Sequence, residues 1–216
     1  MVYGGHGEGK STWAAKFPNG IFLATEDGTN EIDCTRVRLT TVEDFVSAVK
    51  ECIDSEFDTI IIDSMDWLQK IFERHMEVNS IPTDYGKGAL YLEEKISAIL
   101  RGLDKAVENG KTVILIAHSE IRKAEDVQGN SWDQIRPRLS KRACDTVLEW
   151  CDIVLLCKRE DYVRTEKGDF GKEKTIASTA GKRILCTQPH PAYIAKSRIE
   201  LPPTIDLNDS VERFLV

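Results

Sequence analysis

The chain lacks several features that would narrow its role at once. No apolar run in its 216 residues is long enough to span a bilayer, and the N-terminus has no apolar signal-peptide core, so a membrane or exported protein is not expected. Its six cysteines (Cys34, Cys52, Cys144, Cys151, Cys157 and Cys186) include no C-x-x-C pair. Several fall inside apolar runs, so they read as reduced, mostly buried thiols of a cytosolic protein. The four histidines stand far apart, without metal-ligand spacing. There is no internal repeat and no low-complexity linker. A positive excess is also missing: the net charge of −7 argues against coating duplex DNA by bulk attraction, though it leaves room for a local basic groove. With 41% hydrophobic and 30% charged residues, the composition is globular and excludes a disordered chain.

What is present starts at residue 4. Gly4-Gly5-His6-Gly7-Glu8-Gly9-Lys10-Ser11, followed by Thr12, fits G-x-x-x-x-G-K-[ST]. Such glycines let the backbone curl so that its N–H groups point inward at an anion, and the following helix adds its positive end. In that pattern Lys10 contacts the β- and γ-phosphates and the Ser11 hydroxyl sits on Mg²⁺. The spacing therefore predicts a nucleotide cradle over residues 4–12, with ATP and Mg²⁺ as its ligands.

Beyond the cradle, apolar β-type runs alternate with helical patterns. "IFLAT" (21–25), "TIIID" (59–63), "TVILIAH" (112–118) and "DIVLLC" (152–157) read as buried strands. Helices are expected over 41–54, capped by Thr41, over about 65–78, and over about 89–109 with Leu92, Ile96, Ile99, Leu103 and Val107 as the apolar stripe. Fully apolar strands separated by helices predict an α/β fold with a mostly parallel central sheet covered on both faces. After Arg159, "YVRTEKGDFGKEKTIAST" reads as a hairpin with a Gly-containing turn, followed by "RILCTQ", so antiparallel strands are expected near the C-terminus. We expect one domain over 1–216, a core over 1–158 with the hairpin and strands of 159–216 added to it.

Four further places carry candidate chemistry. Asp63 ends "TIIID", where a P-loop protein holds its metal, usually through water; a helix N-cap is the plainer alternative. Glu26 follows the strand "IFLAT", where a carboxylate polarises attacking water or is simply a solvated loop acid. His118 ends "TVILIA", either touching the γ-phosphate or satisfied at the strand end. A long polar stretch then carries Arg122, Lys123, Trp132, Arg136, Arg138, Lys141 and Arg142, and its last part has four cations and no acid. Cations beside an aromatic suit single-stranded nucleic acid; the alternative is a solvated basic loop. A second polar loop, 79–89, holds Tyr85 and Lys87 among glycines. Near the end, "AKSR" sets Lys196 and Arg198 two residues apart on an extended segment, so they project to one side, or decorate a solvent-facing edge strand.

Taken in order, "GGHGEGKST", "IFLATED", "TIIIDS", "IAHSEI", "RPRLSKRA", "EWCDIVLL" and "GKRILCTQPHPAYIAKSRIELP" resemble the RecA-like P-loop ATPases over nearly the whole chain. The resemblance is nearest to the small phage-encoded branch implicated in single-strand annealing and recombination. It implies Glu26 as the general base for ATP hydrolysis and His118 as the γ-phosphate sensor, where RecA itself has Gln. It implies loops 79–89 and 120–140 as the two DNA-binding loops. Lys196 and Arg198 then match paired cations that reach a neighbouring subunit's nucleotide, so that a homo-oligomer, filament or ring, carries composite ATP sites. Single-stranded DNA is the implied partner, with a single-strand-binding protein as a further one. The sequence departs from RecA in showing neither the N-terminal docking helix and strand nor the C-terminal DNA-gathering domain. Only Met1-Val2-Tyr3 precede the cradle, so the first strand is either abbreviated or starts upstream of Met1. Two other readings use the same pocket: a nucleotide-gated replication accessory or loader with slow hydrolysis, and a small-molecule P-loop kinase whose lid the basic loop imitates.

Overall fold

Three residues, Val2–Gly4 (β1), form a strand in the middle of a ten-stranded sheet. The structure is a computed structural model and describes residues 1–28, 31–167 and 173–215. β1 lies between Thr112–Glu125 (β5) and Ile153–Lys167 (β7), parallel to both. Beyond β5 come Thr59–Asp63 (β4), Gly20–Ala24 (β2) and Thr35–Arg38 (β3), all parallel. Beyond β7 come Glu173–Cys186 (β8) and Thr204–Asp206 (β10), each antiparallel to its neighbour. The fold is therefore mixed α/β with a mostly parallel sheet and antiparallel C-terminal strands, as expected of a P-loop NTPase. The turn expected between β7 and β8 falls on 168–172, outside the described residues.

Both sheet faces are covered: β1 and β4 bury every residue, β5 buries Ile114–His118, and their side chains alternate between the two faces. Ile60 and Ile62 of β4 join Leu115 and Ala117 of β5 in a core under the helices Val42–Ile53 (α2), Met65–Val78 (α3), Lys87–Glu108 (α4) and Lys141–Trp150 (α5). Ile61, Ile114 and Ile116 face the other side, with Trp13 of Lys10–Ala14 (α1), Phe17 and Phe214. Thr41 caps α2, its hydroxyl accepting from the Asp44 N–H at 3.1 Å. The expected α4 stripe holds at Leu92, Ile96, Ile99 and Leu103, but its last member does not: Val107 is 48% exposed and Ala106 is buried instead. A four-residue step outruns the 3.6-residue turn, so the stripe drifts off the core by its end. All six cysteines are free, and Cys34 is the only one not buried. Among the described residues no helix is long and apolar enough to cross a membrane.

Two elements differ from expectation. β3 is a short, wholly exposed edge strand whose sequence, Thr-Arg-Val-Arg, has no apolar signal. β5 does not stop at His118 but continues to Glu125, because Ser119–Glu125 pair antiparallel with Ser131–Pro137 (β6). The stretch read as a loop is a β-hairpin. Its turn is closed by Asp126, whose Oδ1 accepts from the N–H groups of Gln128 and Asn130, and by Gly129 at φ 85°.

Candidate active site

Strand order places the chemistry. β5 separates β1 from β4, and the register sets Gly4 beside His118, Ile116 beside Asp63, and Asp63 beside Ala24. β1, β4 and β2 therefore end along one edge of the sheet, which β5 crosses at His118, with the glycine loop rising from the first.

The loop needs its glycines for different reasons. A Cβ on Gly4 would stand 2.1 Å from the Cys157 carbonyl oxygen on β7, so only glycine lets the strands approach. Gly7 and Gly9 adopt φ of 73° and 91°, the left-handed region that turns the backbone inward. Lys10 opens α1 almost fully buried, and its Nζ donates to the Gly4 and Gly5 carbonyls at 3.1 and 2.7 Å. Burial lowers the Lys10 pKa, against the pull of Cys157 and Asp63. Gly5 and Glu8 are half-buried on the loop, and Thr12 is exposed on α1. α1 has only five residues, so the expected help from a helix dipole is small and the loop's own N–H groups carry the anion-binding capacity.

The Ser11 hydroxyl donates to Asp63 Oδ2 at 2.6 Å. Burial raises the Asp63 pKa, and the Ser11 bond and Lys10 oppose it. A hydroxyl and a carboxylate side by side at a phosphate cradle are the hard oxygen donors that Mg²⁺ takes, so these residues fit the ion. Asp63 makes no helix cap; Ser64 stands at the cap position of α3.

Thr25 fastens β2 to β4: its hydroxyl donates to the Ser64 carbonyl and accepts from the Ser64 N–H, both at 2.8 Å. That clamp sets the next residue, Glu26, whose Oε1 lies 3.8 Å from His118 Nε2. Burial raises the Glu26 pKa, against the His118 charge. The other His118 nitrogen, Nδ1, lies 3.0 Å from Asp66 Oδ2. Asp66 Oδ1 accepts the His118 backbone N–H, and Asp66 Oδ2 accepts Arg138 Nη2 at 2.6 Å. Burial alone would raise the Asp66 pKa; the bonds from His118 and Arg138 outweigh it and hold the carboxyl far below the usual range. The His6 ring stacks on His118 with centroids 3.9 Å apart. Asp66 and His6 were not singled out from the sequence. Asp66 stands three residues after Asp63 in "DSMD", in the first turn of the helix that follows β4; His6 occupies a free position of the motif and had no signal.

The other predicted residues are dispersed. Tyr85 is 98% exposed at φ 50°, and Lys87 beside it pairs with Asp84 at 3.7 Å. The arginines of 136–142, without an acid in their own stretch, meet acids from elsewhere. Arg136 pairs with Asp145, Arg138 turns inward onto Asp66, and Arg142 pairs with Glu93. Lys141 alone of these four cations has no ion-pair partner among the described residues. On the hairpin, Arg122 pairs with Glu120 at 2.6 Å and Lys123 with Asp133 at 3.9 Å. Trp132 Nε1 donates to the Pro191 carbonyl at 2.8 Å.

Lys196 and Arg198 lie away from the cradle. Lys196–Ser197 (β9) pairs with Val154 and Ile153, at the start of β7, whereas Gly4 pairs with Cys157. Three residues of strand put Lys196 about 10 Å back from the cradle edge, and Arg198, opposite Asp152, lies farther back still. Lys196 Nζ donates to the Glu149 carbonyl and Arg198 Nη1 to Asp152.

Comparison with known proteins agrees with this geometry at the level of the fold and its nucleotide chemistry. No curated protein matches the chain. A family model described as an AAA domain matches residues 1–199, nearly the whole length. With that match on a glycine cradle, a buried lysine and a Ser–Asp pair, the chain belongs to the AAA domain family and carries a nucleotide-binding, P-loop ATPase domain.

Proposed function

We propose that this domain hydrolyses ATP with Mg²⁺ and couples the cycle to single-stranded DNA, as a recombination or annealing protein of phage type. The observation that carries the reading is the position of His118. It sits at the cradle edge between Glu26 and Asp66, and its strand runs on without a break into the projecting β5–β6 hairpin. In this mechanism the loop N–H groups and Lys10 bind the phosphates, with Gly4, Gly7, Glu8, Gly9 and Thr12 shaping the cradle. Ser11 and Asp63 would hold Mg²⁺, which would supply Lewis-acid neutralisation of the phosphate charge. Glu26 takes the proton of the attacking water. Tyr85 and the hairpin offer an exposed aromatic and basic groups to unstacked bases and phosphates. Lys196 and Arg198, set back from their own cradle, act on a neighbour's nucleotide, in a filament or ring that works in the cytoplasm.

The test is ATP turnover with and without single-stranded DNA. Stimulation supports the reading; turnover indifferent to DNA at saturation contradicts it. Lys141→Ala is expected to reduce the salt slope of DNA binding by about 0.7, the single-strand value for one phosphate contact. An unchanged slope returns Lys141 to a solvated surface role. Lys196→Ala and Arg198→Ala are expected to lower turnover only in the assembled state; equal loss in a monomer contradicts action in trans.

Acidity offers an independent check. Glu26 must be ionised to accept a proton, and burial raises its pKa above the ordinary value of about 4.3. Activity is then present above the raised pKa and lost as pH falls through it. The acid limb of kcat/KM, which reports the free enzyme, is expected above pH ~4.3, and a limb at or below that value argues against Glu26 as the base.

One observation favours a second reading, the slow nucleotide-gated accessory protein. Arg122, Arg136, Arg138 and Arg142 are all engaged by acids, which leaves fewer free cations for DNA phosphates. ATP-dependent capture of a partner with negligible turnover would decide for it.

A further inference from the structure

We infer that Asp66 is a positioning residue that links the phosphate edge of the site to the β5–β6 hairpin, by holding the His118 ring and the Arg138 guanidinium on one buried carboxylate. The inference rests on the ATPase reading above and names the residue through which the hairpin responds.

The contacts form one continuous path. On the cradle side, the His6 ring lies against His118 at 3.9 Å, and Glu26 approaches His118 Nε2 at 3.8 Å. On the hairpin side, Arg138 directly follows β6. Its side chain reaches Asp66 Oδ2 through Nη2 at 2.6 Å and Nε at 3.2 Å, and its backbone N–H donates to the His118 carbonyl at 2.8 Å. The two strands of the hairpin thus close at their base on His118 and Arg138, and Asp66 grips both. Asp66 belongs to neither strand: it stands in the first turn of α3, the helix that follows the Asp63 strand. A shift of His118 relative to β4 therefore has to be shared with Arg138 or break a buried charged contact.

The chemistry suits the role. A carboxylate that accepts a guanidinium and a backbone N–H has no proton to give, so the proton between Asp66 and His118 resides on Nδ1. That fixes the ring orientation and directs Nε2 toward Glu26 and the cradle. A neutral amide in place of the carboxylate keeps the shape but cannot receive all three donors as a charged acceptor. Arginine is also apt at 138, since its planar fork meets one carboxylate oxygen with two N–H groups.

The experiment is amide hydrogen exchange over residues 119–137, with the protein saturated first with ADP and then with a non-hydrolysable ATP analogue. Wild type is expected to show a difference of about fivefold or more between the two states, the scale of a typical coupling. Asp66→Asn is expected to bind both nucleotides and to lose that difference. Arg138→Gln, at a side chain partly open to solvent, is expected to lose it too, and the double variant to be no worse than either single one. These are readouts that a purely structural ion pair would not move in concert. Retention of the wild-type difference in Asp66→Asn at full occupancy overturns the inference, and so does a wild-type hairpin that ignores which nucleotide is bound. If Asp66→Asn does not fold, Arg138→Gln decides in the same way. A wild-type protein that binds neither nucleotide instead overturns the ATPase reading itself, which the binding measurement reveals separately.

Discussion

Glu26→Gln is expected to lower ATP turnover by about 10²–10⁴-fold, the usual contribution of a positioned proton acceptor, while leaving nucleotide affinity nearly unchanged. The amide fills the same space and leaves the Thr25–Ser64 clamp intact, so the position of residue 26 beside His118 persists. What would be lost is the basicity of the carboxylate, since an amide oxygen can accept a hydrogen bond but cannot hold the water's proton. Because proton transfer to Glu26 would occur only as the water attacks the γ-phosphate, the effect belongs in kcat and not in KM. Full turnover in Glu26→Gln removes the base assignment. A rise in KM at constant kcat would instead make Glu26 a ground-state contact.

The second large effect concerns Gly4. Gly4→Ala would drive a methyl group to 2.1 Å from the Cys157 carbonyl oxygen, a backbone atom with no freedom to turn aside. Either β1 parts from β7 or the loop leaves its anchor. Overpacking of this severity costs about 3 kcal/mol, which for a domain of this size lowers Tm by on the order of 10 °C. Nucleotide binding should fall with it, since the same three residues carry the cradle. Gly7→Ala is the informative contrast: its Cβ meets nothing within 4 Å, and only its φ of 73° is unfavourable. It should therefore destabilise by clearly less. A Gly4→Ala protein that melts like wild type would contradict the close approach of β1 and β7.

How much of this was legible beforehand depended on how local each signal is. α2 and α3 announce themselves by apolar residues at helical spacing, and Thr41 by its cap chemistry. β4 is a run of isoleucines that only a doubly covered strand would carry. The hairpin was legible in part. Its alternation after His118 and the Asp126–Gly129 turn were in the sequence, but its exposed polar faces resemble a loop when no partner strand is in view. β3 offered nothing, because an edge strand exposed along its length needs no apolar pattern.

For this protein the sequence by itself determined the glycine-rich loop that leads into Lys10 and Ser11, the apolar strand that ends in Asp63, and the α/β alternation. Each is written in neighbouring residues, where chain geometry leaves few options. Only the tertiary structure decided what stands around them. Asp66 meets His118 across 52 positions and Arg138 across 72, so no spacing rule could join them. Arg142 meets Glu93 across 49 positions, while Asp145, only nine positions past Arg136, lies on α5 just outside the basic stretch. A charge's partner is set by which strands and helices lie side by side, and that order, with β5 between β1 and β4, is fixed by the burial of whole faces and not by any one segment.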